Sequence, residues 1–161
     1  MYKRQGLESQ NIWQRAYVSL LGLLPSASPE VIYLQTSFDD GGESLSGNCS
    51  YTLSGEVPDA RYWSYAIYGN DNYYLQDPNS LFDEPTFDDL FAQVTNGSEL
   101  TSIIGENYII KIDNNLINQN GTLSHFGNDF TLIYRIYGPN LNYYENPTSI
   151  PVASIINEGC K

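Results

Sequence analysis

The chain has 161 residues, the usual size of one folded domain, and seven Lys and Arg oppose 19 Asp and Glu, giving a formal net charge of −12. This charge disfavours phosphate backbones and anionic lipid surfaces, so we expect no nucleic-acid partner. The longest uncharged apolar stretch, residues 16–24, is about half of the roughly 20 residues that a membrane-spanning helix needs, so no membrane span is predicted.

The first five residues precede any apolar pattern and carry two of the seven basic side chains, so they contribute nothing that a fold needs. They resemble the translation of a transposon end used in preparing sequencing libraries. We therefore expect residues 1–5 to be an adaptor-derived artefact on a bacterial metagenomic fragment, and residues 6–161 to form a single domain. A genuine basic start is the alternative.

Residues 9–24 carry apolar side chains at spacings of three and four, which predicts an amphipathic helix capped by Ser9 and ended by Pro25. Beyond it, Pro, Gly, Asn and Asp clusters separate short β-branched and aromatic runs, the pattern of a mainly β sandwich or barrel. Strands are predicted over residues 31–36, 50–53, 62–68, 73–76, 108–113, 130–137 and 152–156, and a short helix over residues 85–92.

Two details of this pattern are specific. In the sixth strand the even-numbered side chains from Phe130 to Ile136 share one face, which we expect to be core. The Gly-Asn-Asp-Asn run at residues 69–72 is typical of a tight turn and predicts a hairpin between strands 62–68 and 73–76.

Catalytic signatures are absent: no nucleophile elbow, phosphate loop, dinucleotide fingerprint or zincin motif occurs. His125, the single histidine, lies in an Asn-, Gly- and Ser-rich run and is predicted to be a solvated loop residue. The paired carboxylates at 39–40, 83–84 and 88–89 are interpreted as a solvated face, and the Asn- and Asp-rich loops as turns. Cys49 and Cys160 could pair, but the position of Cys160 beside the C-terminus favours a free thiol. We predict no catalytic residue, no metal and no cofactor.

Aromatic density is the unusual feature, because six Tyr and Trp side chains crowd residues 62–74. On alternating strands both faces would then carry rings, one in the core and one partly exposed. Exposed Tyr and Trp can stack on sugar rings or apolar ligands, but cross-strand packing against a missing or neighbouring domain is the favoured explanation.

The run Tyr62-Trp63-Ser64-Tyr65-Ala66-Ile67-Tyr68, followed later by Leu132-Ile133-Tyr134-Arg135-Ile136-Tyr137-Gly138-Pro139, resembles the paired signature of the family called domain of unknown function 1214. The resemblance extends to a lead-in helix near Trp13 and an Asp-rich turn at residues 38–40, so it covers nearly the whole chain after Gly6. It implies a jelly-roll-like antiparallel β-sandwich preceded by one helix, and it implies no established activity. Residues 77–82 and 122–127 depart from the family pattern, so any pocket built from them is in doubt.

Members of that family usually carry a companion N-terminal β domain, called domain of unknown function 1254, for which this chain has no room. The resemblance therefore implies a missing N-terminal β domain as partner, favours the periplasm or cell envelope, and leaves a homodimer possible through the uncovered face.

Two functions follow. The first is a non-catalytic packing or small-ligand/glycan-binding module of a two-domain envelope-associated protein. The alternative is a hydrolase-like enzyme whose site lies at the interface with the missing domain, and a virion or surface-decoration protein is a third possibility. The residues predicted to contact a ligand are Trp63, Tyr68, Asp71, Arg135 and Tyr137. We expect Arg135 to have a structural role and an acidic partner.

Overall fold

A computed structural model describes residues 30–71, 73–75, 77, 93–97, 103–114 and 121–161. The predicted helices over residues 9–24 and 85–92 lie outside these residues. Nine strands are described: β1 (Val31–Thr36), β2 (Cys49–Glu56), β3 (Ala60–Gly69), β4 (Val94–Asn96), β5 (Ile103–Ile104), β6 (Asn107–Asp113), β7 (Thr122–Ser124), β8 (Phe130–Pro139) and β9 (Ser154–Cys160). Between β8 and β9 lie a short helix, α1 (Asn142–Glu145), and one 3₁₀ turn (Pro147–Ser149). None of the described helices is long and apolar enough to cross a membrane.

The strands form two packed sheets, which confirms the mainly β sandwich. The first sheet has the order β1-β8-β3-β4, and the second has the order β5-β6-β2-β9 with β7 beside β6. Neighbouring strands are antiparallel except for β6 and β7, which pair in parallel and depart from the expected all-antiparallel arrangement. The more specific jelly-roll topology stays a prediction.

The core lies between the two sheets and follows the period of two. Phe130, Leu132, Tyr134 and Ile136 on β8 are all buried in it, so the predicted core face of this strand is confirmed. A run of rings joins the sheets: Trp63 on β3 packs 4.6 Å from the ring of Tyr108 on β6. The Tyr65 hydroxyl also lies 2.7 Å from that of Tyr108, so the aromatic core contains a buried hydrogen bond between sheets.

The first half of β8 is buried on its other face as well. Ile133 is 2% exposed, and Ala66, its partner on β3, is fully buried. The same strand becomes only half-buried at Arg135 and Tyr137. The outer face of the first sheet is therefore closed at one end and partly open at the other.

The prediction of a free thiol is wrong, because Cys49 and Cys160 form a disulfide. The two residues are register partners in the β2–β9 ladder, although they lie 111 positions apart in sequence. Proximity to the C-terminus suggested a mobile tail, but the chain end is held as a strand, and the Lys161 amide donates to the carbonyl oxygen of Asn48 at 2.8 Å. This last strand begins at Ser154, two residues later than predicted.

The predicted hairpin after β3 is also wrong. Residues 73–75 form no strand, and β3 pairs instead with β4 and β8. The Gly69 amide does bond to the Tyr73 carbonyl oxygen at 2.8 Å, so the turn exists without a ladder beyond it. The fully buried side chain of Gln93 takes the place of a pairing strand: its amide oxygen accepts from the Leu75 N–H at 2.6 Å, and its amide nitrogen donates to the Leu75 carbonyl oxygen at 2.7 Å.

His125 is not a solvated loop residue, because it is 1% exposed at the end of β7. Its Nδ1 accepts a hydrogen bond from the Gly127 N–H at 3.0 Å, so the ring is the neutral tautomer whose Nε2–H donates to the Cys49 carbonyl oxygen, also at 3.0 Å. Its ring stacks on Phe130 with centroids 5.5 Å apart. Local composition indicated a loop, but the parallel pairing of β7 with β6 brings this segment inside.

Candidate functional site

The outer face of the four-stranded sheet carries a group of polar aromatic side chains around one arginine. The antiparallel register places Tyr62 opposite Tyr137, and Arg135 between Ser64 on β3 and Tyr33 on β1. Because side chains alternate along a strand, these side chains point away from the core that Trp63 and Tyr65 enter, and so does Tyr68 on β3. We call the tyrosines and the arginine of this face the outer tyrosine face: Tyr33, Tyr62, Tyr68, Arg135 and Tyr137.

At its open end, three tyrosines from three adjacent strands meet. The rings of Tyr62 and Tyr137 are 5.5 Å apart and tilted by 53°. Tyr62 is 42% exposed, whereas Tyr137 and Tyr33 are half-buried. Burial raises the pKa of Tyr137, and the phenols of Tyr33 and Tyr62 raise it further against the opposing charge of Arg135. Tyr137 therefore stays neutral, and the three rings present apolar area with polar edges.

Toward the other end lies what we call the Arg135 cluster: Arg135, Tyr68 and Tyr74. Nη2 of Arg135 donates to the Tyr68 hydroxyl oxygen, and the guanidinium carbon lies 5.5 Å from the centre of the Tyr68 ring. Tyr74 stacks on Tyr68 with centroids 4.5 Å apart. Tyr68 stands opposite Thr131, four residues from Arg135 and hence about 13 Å along the strand. The two side chains therefore extend toward each other along the sheet to make this contact.

The protonation states of Arg135 and Tyr68 are fixed by burial and by charge. Burial raises the pKa of Tyr68, and the nearby charge of Arg135 only partly offsets the rise. Burial by itself would lower the pKa of Arg135, but the phenols of Tyr68, Tyr74 and Tyr137 raise it above its ordinary value. At neutral pH the pair is therefore a charged guanidinium bonded to a neutral phenol. It can hold a ligand by hydrogen bonds, but neither group is poised to transfer a proton.

Arg135 has no acidic partner among the residues that the structure describes, contrary to the expectation of a structural ion pair. Its largest electrostatic interactions within the described ranges are with phenols, and its buried Nε has no hydrogen-bond acceptor there. A guanidinium has five N–H donors and no acceptor, so neutral phenol oxygens satisfy it only in part.

The structure brings together only some of the predicted ligand-contact residues. Tyr68, Arg135 and Tyr137 share the outer tyrosine face. Trp63 lies on the opposite face of the sheet, 5% exposed and packed in the core. Asp71 lies in the turn after β3, where its carboxylate accepts from the Tyr73 N–H at 3.0 Å.

Two contributors were missed by sequence reasoning or left out of the predicted set. Tyr33 lies on β1, far from the aromatic run, and only the β1–β8 register places it beside Arg135. Tyr74 follows the turn rather than a strand, so no alternation pattern assigns it a face. For Tyr33, the available signal was its position as the third residue of β1, where alternation along the strand assigns it a face. No such signal existed for Tyr74.

The acidic pair 39–40 has structural hydrogen-bond partners. Asp39 accepts from the Glu43 N–H at 3.0 Å, and Asp40 accepts from the Ser154 hydroxyl. The pairs at 83–84 and 88–89 lie outside the described residues. Within the described ranges, no three His, Cys, Asp or Glu side chains lie close enough together to hold a metal ion.

A second, shallow groove of about 320 Å³ lies on the outer face of the other sheet. Its charged lining residues are Lys111, Asp113 and Glu158, and the remainder is mainly hydroxyl-bearing. Its charges are mixed in sign, so it has no evident chemistry, but it supplies a control cation, Lys111, on the far side of the molecule.

Two packed sheets with a tyrosine-lined outer face define a mainly β domain. A family model described as a protein of unknown function, DUF1214, matches residues 30–141. The match spans more than half of the 161 residues, so the chain belongs to the DUF1214 family, as the two strand motifs indicated. No curated protein sequence matches the chain.

The solved structures that are similar to the chain include two crystal structures. The crystal structure of the VPA0106 protein from Vibrio parahaemolyticus has a TM-score of 0.65 and 22% identity, covering 89% of this chain and 34% of that one. That of an uncharacterised protein from Burkholderia cenocepacia has a TM-score of 0.55 and 11% identity, covering 97% and 34%. At these identities the likeness shows the fold alone. The chain spans about a third of the length of both proteins.

Proposed function

We propose that this chain is a non-catalytic module of a larger, envelope-associated two-domain protein, and that its outer tyrosine face binds a small ligand of glycan type or packs against a companion domain. The observation that carries the proposal is the row of partly exposed tyrosines on three adjacent strands, with Tyr62 in contact with Tyr137. In this proposal residues 6–161 form the module, and residues 1–5 are adaptor-derived.

The chemistry of this face suits a ring-shaped ligand. Phenol rings offer large apolar area with little side-chain entropy to lose, and their hydroxyls can bond to a hydroxylated ligand at the edges. The rings of Tyr62 and Tyr137 are tilted rather than stacked flat, and 42% of Tyr62 is exposed at the edge of this pair. Binding sites of this kind combine apolar walls with a few polar groups that fix orientation.

The disulfide supports the envelope part of the proposal. Disulfides form and persist in oxidising compartments such as the bacterial periplasm and are rare in the cytosol. The Cys49–Cys160 pair closes almost the whole described domain, so it belongs to the fold and not to a peripheral loop.

The alternative hydrolase-like site draws less support from the geometry. It needs Trp63, Asp71 and Arg135 together, but Trp63 lies across the sheet and Asp71 bonds to its own turn. Tyr68, which does contact Arg135, has a raised pKa and would be a poor base or nucleophile at neutral pH. The pair is better suited to binding.

The proposal is tested with ¹⁵N-labelled full chain and neutral oligosaccharides of glucose, xylose and mannose. We expect amide shifts confined to the neighbourhood of Tyr33, Tyr62 and Tyr137. The Tyr62→Ala, Tyr137→Ala double variant should bind about fivefold or more weakly, because it loses roughly 1 kcal/mol of ring contact.

Tyr73→Ala is the matched control, because Tyr73 is 73% exposed but lies in the turn outside the sheet. Equal losses in the control and the double variant would contradict a site on the sheet. Shifts at the same face that appear only with rising protein concentration, and vanish in the double variant, would assign the face to packing instead of glycan binding.

A further inference from the structure

We propose that the Arg135 cluster is a subsite for a single carboxylate group of a small ligand. The inference rests on the proposed ligand-binding role of the outer tyrosine face and specifies the chemistry at one end of it. Its starting point is the Arg135 guanidinium, whose buried Nε has no acceptor within the described part of the chain.

The cluster has more donors than acceptors. Arg135 brings only N–H donors, while Tyr68 and Tyr74 each bring one O–H donor with their acceptor oxygens. No described carboxylate completes the set, although the chain has 19 acidic residues. A carboxylate has two acceptor oxygens in a plane, and it matches the planar fork of a guanidinium better than any neutral group does.

The position of the cluster favours a ligand group over an internal partner. Tyr68, Tyr74 and Arg135 are each half-buried, so the cluster keeps some contact with solvent but is poorly hydrated. Ion pairs gain strength in such partly dehydrated places, because water competes less for the charges. Tyr137 lies two residues from Arg135 on the same face, about 7 Å along the strand. A ring that carries one carboxylate could therefore contact both.

The charge of the whole chain narrows the ligand class. A net charge of −12 repels polyanions over long distances, so polymeric acidic glycans and phosphate-rich molecules are disfavoured. A small molecule with one carboxylate meets little of this repulsion and gains the local contact with Arg135. The ligand class we infer is a hydroxylated ring acid of the uronic acid kind.

The probe is sodium glucuronate, titrated into the ¹⁵N-labelled full chain at constant ionic strength, with glucose as its neutral counterpart. We expect glucuronate to shift the amides around Ser64, Tyr68 and Arg135 and to bind at least about tenfold more tightly than glucose. Arg135→Gln should remove that preference, and Arg135→Lys, which keeps the charge but loses the fork, should restore only part of it. Lys111→Gln removes one exposed cation from the opposite sheet and should leave binding unchanged.

Two results would overturn the inference directly. The first is a preference for glucuronate over glucose that survives in a folded Arg135→Gln variant. The second is a preference that falls in Lys111→Gln as much as in Arg135→Gln. If Arg135→Gln does not fold, Tyr68→Phe decides, since it keeps the ring and removes only the hydroxyl that Arg135 contacts; unchanged affinity there also overturns it. Neutral sugars that bind as well as glucuronate would refute the carboxylate subsite alone, whereas no shift with any sugar would refute the proposed function too.

Discussion

Removing the disulfide is expected to cost this domain much of its stability. The bond joins residues 111 positions apart, and a loop of that length corresponds to a closure entropy worth about 5 kcal/mol at 25 °C. Native domains are stable by only roughly 5–15 kcal/mol, so a Cys49→Ser, Cys160→Ser variant should unfold at far lower denaturant or fail to fold at 37 °C.

The loss of structure should begin at the end of β9, where the disulfide joins this strand to β2. Cys49 starts β2 and Cys160 ends β9, and the ladder between these strands is interrupted by a bulge at Ser50 and Tyr51. Without the bond, the end of β9 would be held beyond that bulge by few backbone hydrogen bonds. Fraying should therefore appear first in amide exchange at residues 157–161 and then spread along β9.

The assay is urea unfolding of the oxidised chain, of the same chain under reductant, and of the double Ser variant. Reduced wild type is the key control, because it removes the cross-link without placing a hydroxyl at the buried Cys49 position. A difference below about 1 kcal/mol between oxidised and reduced chains would refute the reasoning from loop entropy. Two free thiols titrated in the oxidised chain would refute the bond itself.

Three further predictions concern single positions. Burial lowers the pKa of His125, so the unfolded state binds a proton at this residue first as the pH falls. The contribution of His125 to the free energy of unfolding should therefore be fully present above about pH 6.5 and decline below it. This pH dependence should vanish in His125→Asn. Gly47→Ala should destabilise by about 1–3 kcal/mol in urea unfolding, because its Cβ would lie 2.2 Å from the Gly127 backbone; an unchanged midpoint would contradict this packing. Gln93→Ala should cost about 1–3 kcal/mol and speed amide exchange at Leu75, whose backbone it pairs; protection that persists would show that another group holds this segment.

The sequence pattern predicted the strands well where they carry their own alternation. β1 was predicted to the residue, and β8 was predicted with its core face, because β-branched and aromatic side chains at a period of two can bury only one set at a time. The family was predicted from two strand motifs for the same reason, since those motifs lie on the paired central strands β3 and β8.

The errors share a physical cause: each depended on a partner far away in sequence. Residues 73–75 look like a strand, but the buried amide of Gln93 occupies the position that a pairing strand would fill. His125 lies in a segment with a loop-like composition, but its ring is buried and bonds to the Cys49 carbonyl oxygen, a partner that only the tertiary fold brings near. No local composition rule reports such distant partners, which is also why the disulfide was missed.

For the candidate site, the alternation of side chains predicts part of the arrangement, and the pairing of distant strands determines the rest. Alternation alone separates Trp63 from Tyr68 on β3, since an odd and an even position cannot share a face, and the predicted ligand set broke that rule. Alternation could not say which face of β3 joins Arg135, because that follows from pairing Ser64 with Arg135 across the sheet. Once this register is known, Trp63 is assigned to the core, and Arg135 lies among tyrosines with no carboxylate partner in the described part of the chain. The composition of the outer face therefore follows from which side chains the core buries, and Arg135, which has no acidic partner among the described residues, is the feature from which binding should be pursued.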